Sequence, residues 1–351
     1  MNELITLIWP ALSRRRRAAT KAINTAPRGV LAAGFSLVAA GLISWATPSA
    51  AQQAWPERPI RVIVPYAAGQ GADVLMRLVG QELSKSLNQS IVIDNRAGAG
   101  GNIGTAAAAK STPDGYTFLL GTNATNAANE FLYTSLGFNP VTDFDAVAMI
   151  GLLPMVISTS AADLPANGIA ELISRARAKP NTLNVGLPST TASVAFAQFV
   201  KAAQAPLFGV KYKASSQSMT DVLGGQIPLV IDTVTATRPQ LAGGKLRAVG
   251  ITSLKASEML PGVKSVAEQG VTGFDVVAWD AVFAPRGTPA DIINKFSEHL
   301  QRALAHPDTR RKLMDIGVEP MFMSPAKLDQ FVKDERQKWG AAIKSADIRL
   351  D

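Results

Sequence analysis

A short apolar strand running into a glycine- and alanine-rich loop, and then into a helix, occurs twice early in the chain. Ile60–Asp73 reads IRVIVPYAAGQGAD, and Ile91–Gly104, about thirty residues later, reads IVIDNRAGAGGNIG. In the first copy Arg61-Val62-Ile63-Val64 leads to Gly69 and Gly71, and Asp73 opens a helix. Leu75, Leu78, Val79, Leu83 and Leu87 then recur at the spacing of one buried helical face. Glycine lets the backbone turn tightly and admits a ligand to main-chain N–H groups that a Cβ would shield. The first N–H groups of the following helix lack partners and carry partial positive charge, which suits an anion. Two such junctions close in sequence point to a site for a carboxylate or phosphate.

The same alternation continues along the chain. Strands are predicted at 60–66, 91–94, 117–121, 147–159, 183–187, 209–212, 227–231, 246–252 and 274–284. Helices are predicted between them, at 73–87, 103–110, 124–132, 168–179, 191–204, 215–224 and 238–243. Thr288-Pro289 and Ser324-Pro325 open two more, the last burying Leu328, Phe331, Val332, Trp339 and Ile343. This pattern predicts an α/β fold with largely parallel sheets, whose ligands bind at the carboxyl ends of strands. A chain this long exceeds one compact core, so two lobes are expected: 52–150 plus 280–351, and 151–279. The long apolar strands Val147–Thr159 and Phe274–Ala284 are candidates for the crossings between them.

The N-terminus reads as an export signal over residues 1–51. Arg14–Arg17 and Lys21 precede Gly29–Trp45, an uncharged apolar run, and Ser49 and Ala51 fit cleavage after Ala51. A membrane-anchoring segment is the alternative, since the run is just short of the roughly 20 residues of a membrane span. Ser13-Arg14-Arg15 resembles a twin-arginine signal, but Ala18 and Ala19 replace the bulky apolar residues expected after it. Residues 1–51 carry six Lys/Arg and one acid, so +5 of the chain's +8 lies there and +3 remains. No basic run interleaved with aromatics survives beyond it, which argues against nucleic-acid binding. Cysteine is absent, excluding disulfides and thiolate metal sites.

Catalytic motifs are missing. There is no G-x-S-x-G elbow and no H-E-x-x-H, and the two histidines, His299 and His306, fall on a late amphipathic helix or its end. Gly98-Ala99-Gly100-Gly101-Asn102-Ile103-Gly104 approaches a dinucleotide fingerprint, but Ile103 stands where the third glycine belongs. The next strand, Thr117–Gly121, ends in Thr122-Asn123 without the acid that would hold a ribose. An enzyme on this scaffold would need a base or nucleophile that no histidine or cysteine supplies. No cofactor or metal is expected.

Several motifs, in order, carry a family resemblance: WPERPIRVIVPYAAGQGAD, NRAGAGGNIG, TPDGYTFLLGT, VKYKASSQSMTDVLGGQIPLVIDT, GKLRAVGITS, VAEQGVTGFDVVAW, FAPRGTPADI and ERQKWG. Over residues 55–347 the chain resembles the Bug (TctC-like) family, periplasmic receptors of tripartite tricarboxylate transporters. The resemblance implies a two-lobed, type II-like periplasmic-binding-protein clamshell that closes over a small carboxylate held largely by backbone amides. It implies a monomer that docks on a membrane permease pair or, alternatively, on a sensor-kinase domain.

Position by position, Tyr66, Ala67, Ala68, Gly69 and Gly71 match the family's first anion loop, from which Ala68 and Gln70 depart. Asp73 matches a family aspartate, with helix capping as the plainer role. Asn102 is a ligand contact or a loop brace, and Thr122 and Asn123 face the cleft at a strand end. Ser189, Thr190 and Thr191 follow strand Leu183–Leu187 and open a helix, offering hydroxyls and amides to a far carboxylate, or merely an N-cap. Lys213 and Ser215 stand in a segment that departs from the family pattern, and Lys213 is the cation placed nearest the cleft. Asp232 would bind an ammonium or hydroxyl group, or orient a loop. Trp279 would wall the cleft and stack on an aromatic acid, or pack at a hinge. A dicarboxylate or aromatic carboxylate is favoured over citrate, since no cluster of cations stands ready for three charges.

Overall fold

The first junction forms as its residues require. β1 (Ile60–Val64) buries Val62, Ile63 and Val64, and α1 (Gly71–Leu87) turns Leu75, Met76, Val79, Leu83 and Leu87 inward. The computed structural model describes residues 55–162 and 164–350; the expected export segment lies outside them. β2 (Ile91–Asn95), α2 (Asn102–Ala109) and β3 (Thr117–Thr122) complete a parallel unit, with β1 pairing β2 on one side and β3 on the other.

β4 (Phe144–Thr159) follows, then α3 (Ile169–Ala178), β5 (Asn184–Leu187), α4 (Thr190–Ala203), β6 (Phe208–Lys211) and α5 (Ser215–Leu223). β7 (Leu229–Thr233), α6 (Val234–Ala242), β8 (Arg247–Ile251) and β9 (Val277–Pro285) come next. The chain ends with α7 (Ala290–Ala305), α8 (Pro307–Asp315), β10 (Glu319–Met323) and α9 (Pro325–Ala346). The strands join in the order β2-β1-β3-β9-β4-β7-β5-β6, with β8 and β10 also paired to β4. β5, β6 and β7 are mutually parallel, and β4 and β9 run antiparallel to every strand they touch.

β4 belongs to both halves of this sheet. Phe144–Pro154 pairs with β9, and Met155–Thr159 pairs with β7. Pro154 sits at the change of partner, where a residue without an N–H interrupts the ladder least. β4 thus contains the strand predicted at Val147–Thr159 and begins three residues before it.

Three features differ from the sequence expectation. The helix predicted over 124–132 is a wide π-helical turn at Ala124–Ala128 followed by a tight turn at Asn129–Phe131. Side chains take up backbone groups there: Thr125 Oγ1 accepts from Thr122 N at 3.0 Å, and Asn129 Nδ2 donates to the carbonyl of Gly100. α6 starts at Val234 rather than 238 because the Thr233 hydroxyl caps it, accepting from Ala236 N at 3.2 Å. β10 and α8 were not foreseen; β10 is short and begins Glu319-Pro320, with no alternating signal to mark it.

One apolar cluster packs α1, α7 and the outer strands, with Phe118 stacked on Phe296 at 4.3 Å. A second runs through both halves, from Ile63 and Leu119 to Val185 and Leu229, and is covered by Leu328, Val332, Trp339 and Ile343 of α9. Phe296 is fully buried. Phe296→Ala should cost roughly 3–5 kcal/mol, read as a lower urea midpoint at unchanged slope. A loss under about 1 kcal/mol would show that this face is not a tightly packed support for β3.

Candidate functional site

Strand ends and helix starts meet at one place. The loops after β1, β5, β6 and β7 lead into α1, α4, α5 and α6, and the first residues of these four helices line a single inner cavity of about 50 Å³. Gly71 and Ala72 come from α1, Ser189 and Thr191 from the start of α4, Ser215 from α5, and Thr233 from the cap of α6. Tyr66, Gln70 and Ser189 separate it from an outer cavity of about 440 Å³ bounded by Gly98–Gly101, Tyr133, Thr190, Lys211 and Lys213. Residues at four helix N-termini line this volume, a setting favourable to negative charge.

The first loop is arranged differently from the expectation. Gly69, at φ +83°, donates its N–H to Asp73 Oδ2 at 2.8 Å, and Ala67 N donates to Gln70 Oε1 at 3.0 Å. Ala68 and Gly69 are exposed and line neither cavity, because the loop's side chains satisfy its own amides. Gly71 and Ala72, at the start of α1, line the inner cavity instead. Gln70 spans the cleft, its Nε2 reaching within 3.5 Å of the Pro188 carbonyl and of Ser215 Oγ.

Asp73 is a brace. Its carboxylate accepts from Gly69 N, from Asn95 Nδ2 at 2.9 Å and from Arg77 Nε at 3.0 Å, and it lines neither cavity. Asn102 likewise lies outside both; its Oδ1 accepts from Asn129 Nδ2, tying the second glycine loop to the tight turn that starts at Asn129. Trp279 does not wall the cleft. It is buried on the opposite face of β9, donating Nε1 to Glu335 Oε2 at 2.9 Å and packing edge-on against Phe331 of α9.

Strand alternation explains this. Ala278 and Asp280 face the inner cavity, so Trp279 between them faces away. Asp280 and Thr233 are the site residues the motif reading passed over; period-two alternation would have selected the first, and a strand-end Asp-Thr cap the second.

The remaining residues do gather. Thr122 and Asn123 line the inner cavity, Tyr66 Oη lies 2.7 Å from Thr122 Oγ1, and Asn123 Nδ2 donates to Thr191 Oγ1 at 2.9 Å across the two halves. Ser189 Oγ is occupied in capping Ala192 N at 3.1 Å. Thr190 Oγ1 is buried without a partner and opens on the outer cavity. Lys213 is exposed at that outer mouth with Lys211, which the sequence reading did not single out.

Two acids sit inside. Asp232 Oδ1 accepts from Thr233 N at 2.7 Å, while Oδ2 has no hydrogen-bond partner; burial pushes its pKa up to about 6, held back by the nearby Ser215 hydroxyl and the Thr233 amide. No hydrogen bond reaches the Asp280 carboxyl among the described residues, and burial alone pushes it up to about 8. Burial also drives the Tyr66 phenol well above its ordinary value, so it stays neutral.

The chain matches the family model "Tripartite tricarboxylate transporter family receptor" over residues 75–348. It is 33% identical to BugT of Bordetella pertussis, over 90% of this chain and 97% of that one. Among solved structures it is similar to Rpa4515 of R. palustris with adipate, with TM-score 0.81 and 35% identity over 84% of this chain and 99% of that one. MatC (Rpa3494) from Rhodopseudomonas palustris with bound malate aligns with TM-score 0.76 and 29% identity, over 82% and 99%. The fold and site are those of a periplasmic solute-binding protein, a class of receptors and not enzymes. The chain belongs to the tripartite tricarboxylate transporter receptor family, in which the Bug proteins also fall.

The bracing role of Asp73 has a pH signature. Burial alone would raise its pKa, but the Arg77, Gly69 and Asn95 hydrogen bonds outweigh it and hold the carboxyl below its ordinary value. A carboxyl depressed in the folded state contributes stability above its unfolded pKa and loses it as pH falls through the folded one. Asp73→Asn should therefore be less stable by about 1–3 kcal/mol near neutral pH, with the gap closing as acid is added below about pH 4. Urea melts at several pH values measure this; a gap independent of pH would remove the charge from the explanation.

Proposed function

We propose that this chain is an exported receptor that captures a small carboxylate-bearing solute in the cleft and delivers it to a membrane permease pair of a tripartite tricarboxylate transporter. The observation that carries the reading is that residues at the N-termini of α1, α4, α5 and α6 line one cavity. Unpaired helix amides supply hydrogen bonds to a carboxylate with no cation in the inner cavity. The bound adipate and malate of the structural relatives support the same ligand chemistry. Residues 1–51 would serve as the export signal, placing the mature chain in the periplasm as a monomer.

The lobes of this receptor are residues 52–150 with 280–351, and 151–279, joined through β4. Tyr66, Gln70–Ala72, Thr122 and Asn123 stand on one side of the cavity, and Ser189–Thr191, Ser215, Asp232 and Thr233 on the other. A ligand touching both sides binds the closed arrangement more tightly and shifts the population towards it. An aromatic acid loses its intended stacking partner because Trp279 faces α9, so an aliphatic acid is the better fit.

Ser189→Ala combined with Thr190→Ala should weaken binding of the preferred acid by tenfold or more, with a stability loss of about 1 kcal/mol from the α4 cap. The ligand is found by thermal shift across aliphatic mono-, di- and tricarboxylates and amino acids, and the variant is then titrated calorimetrically. Unchanged affinity would remove the α4 terminus from the site, and no thermal shift with any acid would sink the receptor reading itself.

A further inference from the structure

Three residues line both cavities and so stand at the neck between them: Tyr66, Gln70 and Ser189. Tyr66 Oη lies 2.7 Å from Thr122 Oγ1, and Ser189 Oγ caps α4 at Ala192 N, each bonded within its own side of the cleft. Gln70 is different. Its Oε1 accepts from Ala67 N at 3.0 Å, and its own N–H donates to the Ala67 carbonyl at 3.2 Å, so the carboxamide is pinned to the first loop by its oxygen. An amide carries its oxygen and its NH2 on opposite sides of one carbon, which directs Nε2 across the cleft. There the Pro188 carbonyl and Ser215 Oγ each lie at 3.5 Å, too long for strong hydrogen bonds. The residue is nevertheless only 7% exposed. Gln70 therefore fills the neck with its bulk more than it closes it with its bonds.

The inner cavity is about 50 Å³ and the outer one about 440 Å³. A water needs roughly 10–15 Å³ of such space, so the inner cavity takes the equivalent of a few water-sized groups. One carboxylate and the carbon behind it fit there; a whole dicarboxylate does not. A longer acid held by the inner helix termini must continue through the neck. The outer cavity has groups ready for what emerges. Thr190 Oγ1, on a residue 4% exposed, opens on it without a hydrogen-bond partner among the described residues, and Lys211 and Lys213 stand at its mouth. Gln70 is also a position where this chain departs from the family's first loop, so the constriction it makes is a feature of this chain.

We propose that Gln70 is a specificity-determining residue that sets the girth of the neck, admitting a solute whose chain is slim and unbranched where it passes from the inner cavity to the outer one. The proposal rests on the carboxylate-receptor reading above and narrows that ligand class by shape. Selection works by exclusion: a branched chain meets the Gln70 side chain, which its bond to Ala67 N keeps from turning aside. Tyr66 and Ser189 form the rest of the rim and are held by their own shorter bonds.

The test compares matched acids differing only in a pair of methyl groups: succinate against 2,2-dimethylsuccinate, glutarate against 3,3-dimethylglutarate, and adipate against 3,3-dimethyladipate. Each is titrated calorimetrically into the wild-type protein, Gln70→Ala and Gln70→Met. In the wild type the unbranched member of at least one pair should bind about tenfold or more tighter, the scale of forcing surplus methyl groups into a fitted space. Gln70→Ala should bring the two members of that pair within about threefold, chiefly by tighter binding of the branched one. Gln70 makes no side-chain cap to α1, so this change leaves the helix start intact. Gln70→Met, of similar length but without the amide, should keep the wild-type preference. Equal binding of both members to the wild type would overturn the proposal without either variant, and so would a preference undiminished in Gln70→Ala. Loss of the preference in Gln70→Met as well would overturn the role of bulk and leave the amide's hydrogen bonds as the cause. Binding of none of these acids to folded wild-type protein would instead overturn the carboxylate-receptor reading, and the proposal with it.

Discussion

β4 is the constraint on which the rest of the molecule depends. Its sixteen residues, spanning roughly 50 Å at strand rise, are mostly buried and pair on both edges. One half is fixed by β9 and β10, the other by β7 and β8, so the two parallel units can only be placed where this strand puts them. The change of partner at Pro154–Met155 is where β9 ends its pairing with β4 and β7 begins. Leu153, Ala278, Asp280, Asp232 and Thr233 are all close to that change, and all line the inner cavity. The cavity is thus a consequence of a strand passing from one sheet half to the other.

Much of this was legible because it rests on local patterns. The α1 face at Leu75, Val79, Leu83 and Leu87, the inward face of α9, and the apolar run of β4 are each periodic signals that packing reinforced. Helix-opening hydroxyls at Ser189 and Thr190 were legible for the same reason. Non-local balances were hidden. Whether the Gly69 amide faces a ligand depends on the Asp73 carboxylate four residues on and on Asn95 from the next strand, which together hold the loop. The wide turn after β3 depends on Asn126 and Asn129 bonding in ways that helix propensity does not register. Trp279 and Asp280 were weighed by residue type, when the pleat of β9 decides which of them faces the inner cavity.

Gly71 illustrates how closely the two sides approach. A Cβ there would lie 2.8 Å from Thr233 Oγ1 and 3.3 Å from Leu153 Cδ2, so the absence of a side chain lets the α1 terminus meet the α6 cap. At Gly100, with φ +62°, a Cβ would lie 2.5 Å from Tyr133 Oη and 2.6 Å from Thr190 Oγ1, so the second glycine loop meets α4 in the same way. The glycines read from sequence as openings for a ligand also allow protein to meet protein across the cleft.

The polar bonds that hold this contact are few. Asn123 to Thr191 is a good hydrogen bond at 2.9 Å, while Gln70 reaches Pro188 and Ser215 only at 3.5 Å. Net contributions of neutral hydrogen bonds are about 0.5–1.5 kcal/mol each, comparable to the cost of keeping one buried acceptor unpaired. With so few bonds between the two sides, a ligand touching both would supply much of the free energy of the proposed closure.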